Sequence, residues 1–317
     1  MTVAFVFPGQ GSQSVGMLGP LAAVEPAVCD TFAEASAVLG YDLWRLVSAG
    51  PAEALNTTER TQPALLAAGM AAYRAWRARG GIVPACVAGH SLGEFTALVC
   101  AGALEFAAAV DLVRTRGQLM QAAVPSGSGA MAAILGLEDA QVEEACREAA
   151  AGAVVEAVNF NSPGQVVIAG EQAAVARAIE AAKARGAKRA VLLPVSVPAH
   201  SSLMRPAAEQ FAQCLRETRF SRPTLPYVSA VDAATHEDPE ELRALLTRQL
   251  FSPVRWTQTV RAIAARGVRA LVECGPGKVL TALNRRSESR GGMQFLTLED
   301  PDTLSAALAA TGGDHHA

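Results

Sequence analysis

Apolar and polar positions follow two different rhythms along this chain. Val3-Ala4-Phe5-Val6-Phe7 is an unbroken apolar run stopped by Pro8-Gly9, which predicts a buried strand followed by a loop. Ala-rich helical stretches follow to about Arg79. A second apolar run, Ala85-Cys86-Val87-Ala88, stops at Gly89, and helical sequence resumes at Glu94. Strand, tight turn and helix in succession are the unit of a parallel α/β sheet. A further helix over Phe106–Gln121 carries an apolar stripe at Phe106, Val110, Val113 and Met120.

Past Pro125-Ser126-Gly127-Ser128-Gly129 the rhythm changes. Met131–Leu135 reads as a strand and Glu138–Ala150 as a helix. Val154–Asn159 and Val166–Ala169 read as strands joined by the turn Ser162-Pro163-Gly164. Glu171–Arg185 reads as a helix and Arg189–Leu193 as a strand. The order βαββαβ is ferredoxin-like. The pattern therefore predicts an α/β protein in which a larger lobe with a parallel sheet, residues 1–125 and 197–317, carries an inserted small ferredoxin-like lobe, residues 126–196. From Pro206 onward helices and short strands resume, including Ala270–Glu273 ahead of Gly275-Pro276-Gly277. The tail Thr311–Ala317 reads as frayed, with His315 and His316 solvated.

The 317 residues, half of them hydrophobic and 18% charged, suffice for a large buried core. A net charge of -3 argues against nucleic acid as a partner. Gly, Pro or charge interrupts every apolar stretch before the ~18 residues a bilayer requires, so no membrane association is expected. The first 20 residues lack a basic region and break at Pro8-Gly9, unlike a signal peptide. The six cysteines are spread singly with no C-x-x-C pair, which suits reduced core thiols and a cytoplasmic setting.

Gly89-His90-Ser91-Leu92-Gly93 matches G-x-S-x-G between a predicted strand and a predicted helix. In that context the serine sits on a sharp turn, its hydroxyl raised at a helix N-terminus where backbone N–H groups can stabilise an oxyanion. In a chain with 27 glycines the pattern alone is weak, and an incidental serine in a turn is the alternative. A nucleophilic serine needs a base. Of the five histidines, His315 and His316 are in the tail, His236 lies in the acidic stretch Thr235–Asp238, and His90 points away from a regular elbow. His200, just after a predicted strand, remains as the candidate base; a structural histidine is the other possibility.

Arg116 is anomalous. Its helical neighbours Leu112, Val113, Leu119 and Met120 are all apolar, whereas Arg114 has Asp111 and Gln118 beside it. An arginine on a buried face needs an anion. A structural ion pair, a snorkelling side chain and a substrate carboxylate gripped by the guanidinium fork are the three options.

Seven segments, in order over nearly the whole chain, resemble the malonyl-CoA:acyl-carrier-protein transacylases of bacterial fatty acid synthesis. They are Phe7–Gln13, Gly89–Glu94, Met120-Gln121 after an arginine, Val158–Gln165, Val195–His200, Arg248–Leu250 and Gly275–Leu280. The resemblance implies an α/β-hydrolase-like lobe with a ferredoxin-like insert. It implies that Ser91 is acylated, that His200 moves the proton, and that the N–H groups of Gln10 and Leu92 form an oxyanion hole. Arg116 would bind the malonyl carboxylate, the main-chain carbonyl of Gln249 would orient His200, and Asn161 would line the cleft. The expected substrates are malonyl-CoA and acyl carrier protein, with no metal or organic cofactor, and the chain is expected to act as a monomer.

Two stretches depart from the family's pattern. Ala199 stands where many relatives have serine or phenylalanine, and Tyr227–Asp232 replaces an asparagine-containing run, which reads as a variation in packing. An acidic carrier protein would meet a basic surface. Lys183, Arg185, Lys188 and Arg189 cluster at the end of the insert's second helix, and Arg285 and Arg286 lie elsewhere; Lys188, Arg189, Arg285 and Arg286 are the candidate docking residues. A free-standing acyltransferase of a polyketide synthase or a malonate-decarboxylase system shares these motifs. A serine hydrolase would want a carboxylate behind its histidine, for which Asp232 offers no typical context, and has no use for Arg116. A non-enzymatic scaffold has no reason to keep Ser91, His200, Arg116 and the Gln10 loop together.

Overall fold

Nine strands form two sheets among the described residues of this computed structural model, which are 1–125, 127–195, 197–288 and 292–312. The expected limits of the insert, at 126 and 196, and the His315-His316 pair lie outside them. In chain order the strands are β1 (Val3–Phe7), β2 (Cys86–Gly89), β3 (Gly129–Leu135), β4 (Val155–Ser162), β5 (Gln165–Glu171), β6 (Arg189–Leu192), β7 (Tyr227–Val228), β8 (Ala270–Glu273) and β9 (Gln294–Thr297).

The first sheet has the order β7-β2-β1-β8-β9 and is parallel throughout. Helices cover both its faces, so its central strands need apolar residues at every position rather than at alternate ones. β1 shows this directly. Val3, Phe5 and Phe7 face one core, where Phe5 meets Tyr73 and Trp76 edge-on. Ala4 and Val6 face another, with Trp256, Val260 and Ile263.

The second sheet has the order β4-β5-β3-β6 and is antiparallel, the ferredoxin-like arrangement. Helices Asp139–Ala150 and Gln172–Ala184 pack on one face. The other presents Met131, Val158, Val167 and Ala169. The expected mixed α/β class, a parallel sheet beside a separate small sheet, is what the chain folds into. β4 continues to Ser162, past the expected Asn159, because two register shifts break the alternation that the sequence pattern relies on. β7, with two residues, is too short for the pattern to single out, and β9 opens on the polar Gln294 and has no unbroken apolar run. β4 is tied to the larger lobe at Val254, which lies outside both sheets: Phe160 N donates to Val254 O at 2.9 Å and Val254 N to Val158 O at 2.8 Å. Among the described residues no helix is long and apolar enough to cross a membrane.

Candidate active site

The site is built at the C-terminal ends of β1 and β2, where parallel α/β sheets hold their ligands. β2 ends at Gly89, the chain turns through Ser91 at φ 53°, and helix Gly93–Cys100 begins. The turn leaves no room for a side chain two residues before or two residues after the serine. A Cβ on Gly89 would lie 1.9 Å from Gly93 C, and one on Gly93 would lie 2.0 Å from Phe7 O.

Ser91 Oγ lies 2.7 Å from His200 Nε2, and His200 Nδ1 lies 2.8 Å from the main-chain carbonyl oxygen of Gln249. Because a carbonyl can only accept, Nδ1 carries the proton and Nε2 is left to accept from the serine hydroxyl. Among the described residues no carboxylate stands behind the histidine: Asp232 is occupied with His236 and Arg248. Like Ser91, His200 has a positive φ, 67°, a backbone state that side chains other than glycine adopt at a cost. It is 4% exposed, and burial first, then the charge of Arg116, lower its pKa to about 3.

Arg116 is fully buried, so it does not snorkel. No carboxylate lies within ion-pairing distance of it among the described residues, so it has no structural ion pair either. Its Nη1 donates to Gln62 Oε1 and its Nη2 to Gln249 Oε1, both at 2.9 Å, and Nη2 reaches Ser91 Oγ at 3.4 Å. Burial lowers its pKa to about 10, which leaves it cationic at neutral pH. A desolvated cation without a counterion, beside the serine hydroxyl, suits an anionic acyl group.

Gln10 lines the cavity and its Oε1 is 3.4 Å from Gln62 Nε2, while Leu92 is buried directly after Ser91. Asn161 lines the cavity too, but its Oδ1 lies 2.8 Å from His90 Nε2, so it holds His90 and not His200. The cavity has a volume of about 450 Å³. Its polar end holds Ser91, His200 and His90; Met131, Val167, Leu193 and Leu283 form an apolar wall between the two sheets. Such a slot suits a long, mostly apolar arm that carries its reactive group at the tip.

The basic residues are redistributed. Lys183 pairs with Glu180 and Arg185 with Glu148, whereas Lys188 and Arg189 have no ion-pair partner among the described residues. Arg286 is not remote from them. Its Nη1 donates to Gln165 Oε1 at 2.9 Å, Gln165 pairs with Leu135, and Leu135 pairs with Arg189. The three thus share one end of the small sheet, with Arg285 on the same helix as Arg286.

Three buried residues of the site escape sequence reasoning. Gln62 is a polar residue inside the apolar helix Thr58–Ala78, a faint signal at best. Glu94 was visible only as the end of a motif. Tyr227, read as packing variation, in fact donates its hydroxyl proton to Glu94 Oε1.

The acyl transferase domain family matches residues 4–298. The malonyl CoA-acyl carrier protein transacylase of Escherichia coli (strain K12) is 57% identical over 305 residues, covering 96% of this chain and 98% of that protein. An acyl carrier protein S-malonyltransferase from Vibrio cholerae is similar in structure, with a TM-score of 0.94 and 55% identity over 97% of this chain and all of that one. So is a malonyl-transacylase in complex with its type II PKS acyl-carrier protein, with a TM-score of 0.96 and 53% identity over 98% of this chain and all of that one.

Proposed function

This chain belongs to the acyl transferase family, among its malonyl-CoA:acyl-carrier-protein transacylases, and on that premise we propose how its own residues carry the transfer. It is an acyltransferase that moves malonyl from CoA to the thiol of a carrier protein. The observation that supports the residue roles best is the line of three groups, Ser91 Oγ to His200 Nε2 and His200 Nδ1 to Gln249 O, with the buried Arg116 fork beside the hydroxyl.

His200 Nε2 takes the Ser91 proton as Oγ attacks the malonyl thioester carbon. The N–H groups of Gln10 and Leu92 meet the oxyanion. As the tetrahedral species collapses, the C–S bond breaks and the proton on Nε2 passes to the CoA sulfur. The malonyl ester on Ser91 then undergoes the reverse sequence with the carrier protein's pantetheine thiol: its proton goes to His200, sulfur attacks, and Ser91 Oγ recovers the proton. Throughout, Arg116 holds the malonyl carboxylate with N–H groups that Gln62 and Gln249 do not occupy. Ser91, His200 and the backbone donors account for every bond made and broken in this sequence, so it calls on neither a metal nor an organic cofactor.

Lys188, Arg189 and Arg286, with Arg285 beside them, receive the acidic carrier protein at the end of the small sheet. The resemblance to the bacterial enzymes supports a role for the product in fatty acid biosynthesis. Six free cysteines support a reducing, cytoplasmic setting. The decisive test is intact-mass analysis after mixing with malonyl-CoA in the absence of carrier protein. The chain should gain one malonyl group and Ser91→Ala none; stoichiometric acylation of the variant would place the nucleophile elsewhere.

A further inference from the structure

Gln249 touches His200, Arg116, Ser91 and Glu94 at once. Its backbone carbonyl holds His200 Nδ1 at 2.8 Å, and its side-chain Oε1 accepts from Arg116 Nη2 at 2.9 Å. Its Nε2 donates to Ser91 O at 2.8 Å and to Glu94 Oε2. A side-chain amide can sit either way round, and its surroundings alone decide which end is which. Here two acceptors face the nitrogen and a cation faces the oxygen. Turned over, the amide would set N–H against the guanidinium and oxygen against the carboxylate.

Glu94 is in turn held from behind. It is 1% exposed, and its Oε1 accepts from the Tyr227 hydroxyl and, at 2.8 Å, from Ala230 N. Tyr227 is itself 1% exposed, on β7 at the edge of the large sheet. Burial pushes the pKa of Glu94 above the ordinary carboxylate value, and the hydrogen bonds from Tyr227, Gln249 and Ala230 pull it part of the way back toward the ionised form.

The consequence is an arginine gripped by two neutral amides, with a carboxylate held one amide further away. A carboxylate in direct contact would form a charge-assisted pair that an incoming substrate carboxylate would have to displace. Neutral amides fix the fork without cancelling its charge, while Glu94 supplies negative potential at a distance. We propose that Glu94, locked by Tyr227, is a positioning residue that acts through the Gln249 amide to aim Arg116 at the acyl carboxylate and keep it free of a competing ion pair. This rests on the reading of Arg116 as the carboxylate-binding group.

The test compares Glu94→Gln, Tyr227→Phe and Arg116→Ala with the parent, measuring kcat and KM for acylation by malonyl-CoA and by acetyl-CoA. Glu94→Gln keeps the size but removes the charge, so the Gln249 amide loses its preferred orientation. Tyr227→Phe removes one hydroxyl and keeps the ring, so it reports even if the first variant fails to fold. Expected are losses in malonyl kcat/KM of about 10- to 100-fold for Glu94→Gln and about 3- to 10-fold for Tyr227→Phe, carried mainly by KM. Acetyl kcat/KM should stay within about threefold of the parent. An equal fall for both thioesters, or an unchanged malonyl preference in both variants, overturns the proposal. If Arg116→Ala also keeps the malonyl preference, the underlying reading of Arg116 fails and takes the proposal with it.

Discussion

His200 combines two features that pull against each other: as the proposed base it must accept a proton, and its surroundings resist one. Burial and the Arg116 charge favour the neutral ring, so its pKa in the folded chain, about 3, lies below the ordinary 6.5. The sign follows directly. As pH falls through 6.5 an ordinary histidine would protonate and stop working as a base, whereas His200 stays neutral and competent. Acylation kcat/KM at pH about 5.5 should therefore lie within about twofold of its value at about 7.5; a roughly tenfold drop would mark a base with an unshifted pKa. On the proposed reading, Arg116 acts on selectivity instead. Malonyl and acetyl differ by one carboxylate, and a desolvated cation both attracts the first and is stranded by the second. Arg116→Ala should lower malonyl kcat/KM by roughly 30- to 4,000-fold and leave acetyl steady or improved, read by competition between the two thioesters.

Among the elements, the strand–turn–helix around Ser91 has the least freedom. His90 N donates to Phe7 O at 3.0 Å, which ties the turn to β1, and the same carbonyl oxygen fills the space where a Cβ on Gly93 would go. Gly93→Ala therefore has to push β1 and the helix start apart. It should cost at least about 1–3 kcal/mol, seen as a lower urea midpoint, and acylation should slow with it. A variant with the parent's midpoint and rate would mean that the turn has slack that the 2.0 Å approach denies. The long helices contribute differently. Thr58–Ala78 and Phe106–Ala122 pack their apolar faces into the large core, and each delivers a polar side chain to the site, Gln62 from the first and Arg116 from the second.

At the scale of the molecule, the cleft lies between the two lobes, which are tied together through β4 and Val254. The larger lobe brings Ser91 and Leu283 to it, β3 and β5 of the small sheet add Met131 and Val167, and the end of the small sheet gathers Lys188, Arg189 and Arg286. If that end steers an acidic carrier protein, Lys188→Glu combined with Arg189→Glu should slow malonyl transfer to it by about tenfold or more at low ionic strength. Acylation by malonyl-CoA alone should be little changed. The difference should shrink as salt screens the surface. Equal transfer rates at low salt would remove the patch from docking.

What the sequence determined by itself is what local physics fixes. Unbroken apolar runs placed β1, β2 and β8, the order of elements between Gly129 and Leu192 announced the small sheet, and the glycines around Ser91 announced the elbow. The apolar neighbours of Arg116 announced its burial. Apolar periodicity states which face of an element turns inward, not which other element it will meet. Tertiary structure alone therefore brought His200 to Ser91 across 109 residues and Gln249 to Arg116 across 133. It moved Arg286 beside Arg189, and it gave Asn161 to His90. It also turned Tyr227 from a packing residue into the partner of Glu94, because a hydroxyl buried among apolar side chains takes whichever acceptor the fold delivers to it.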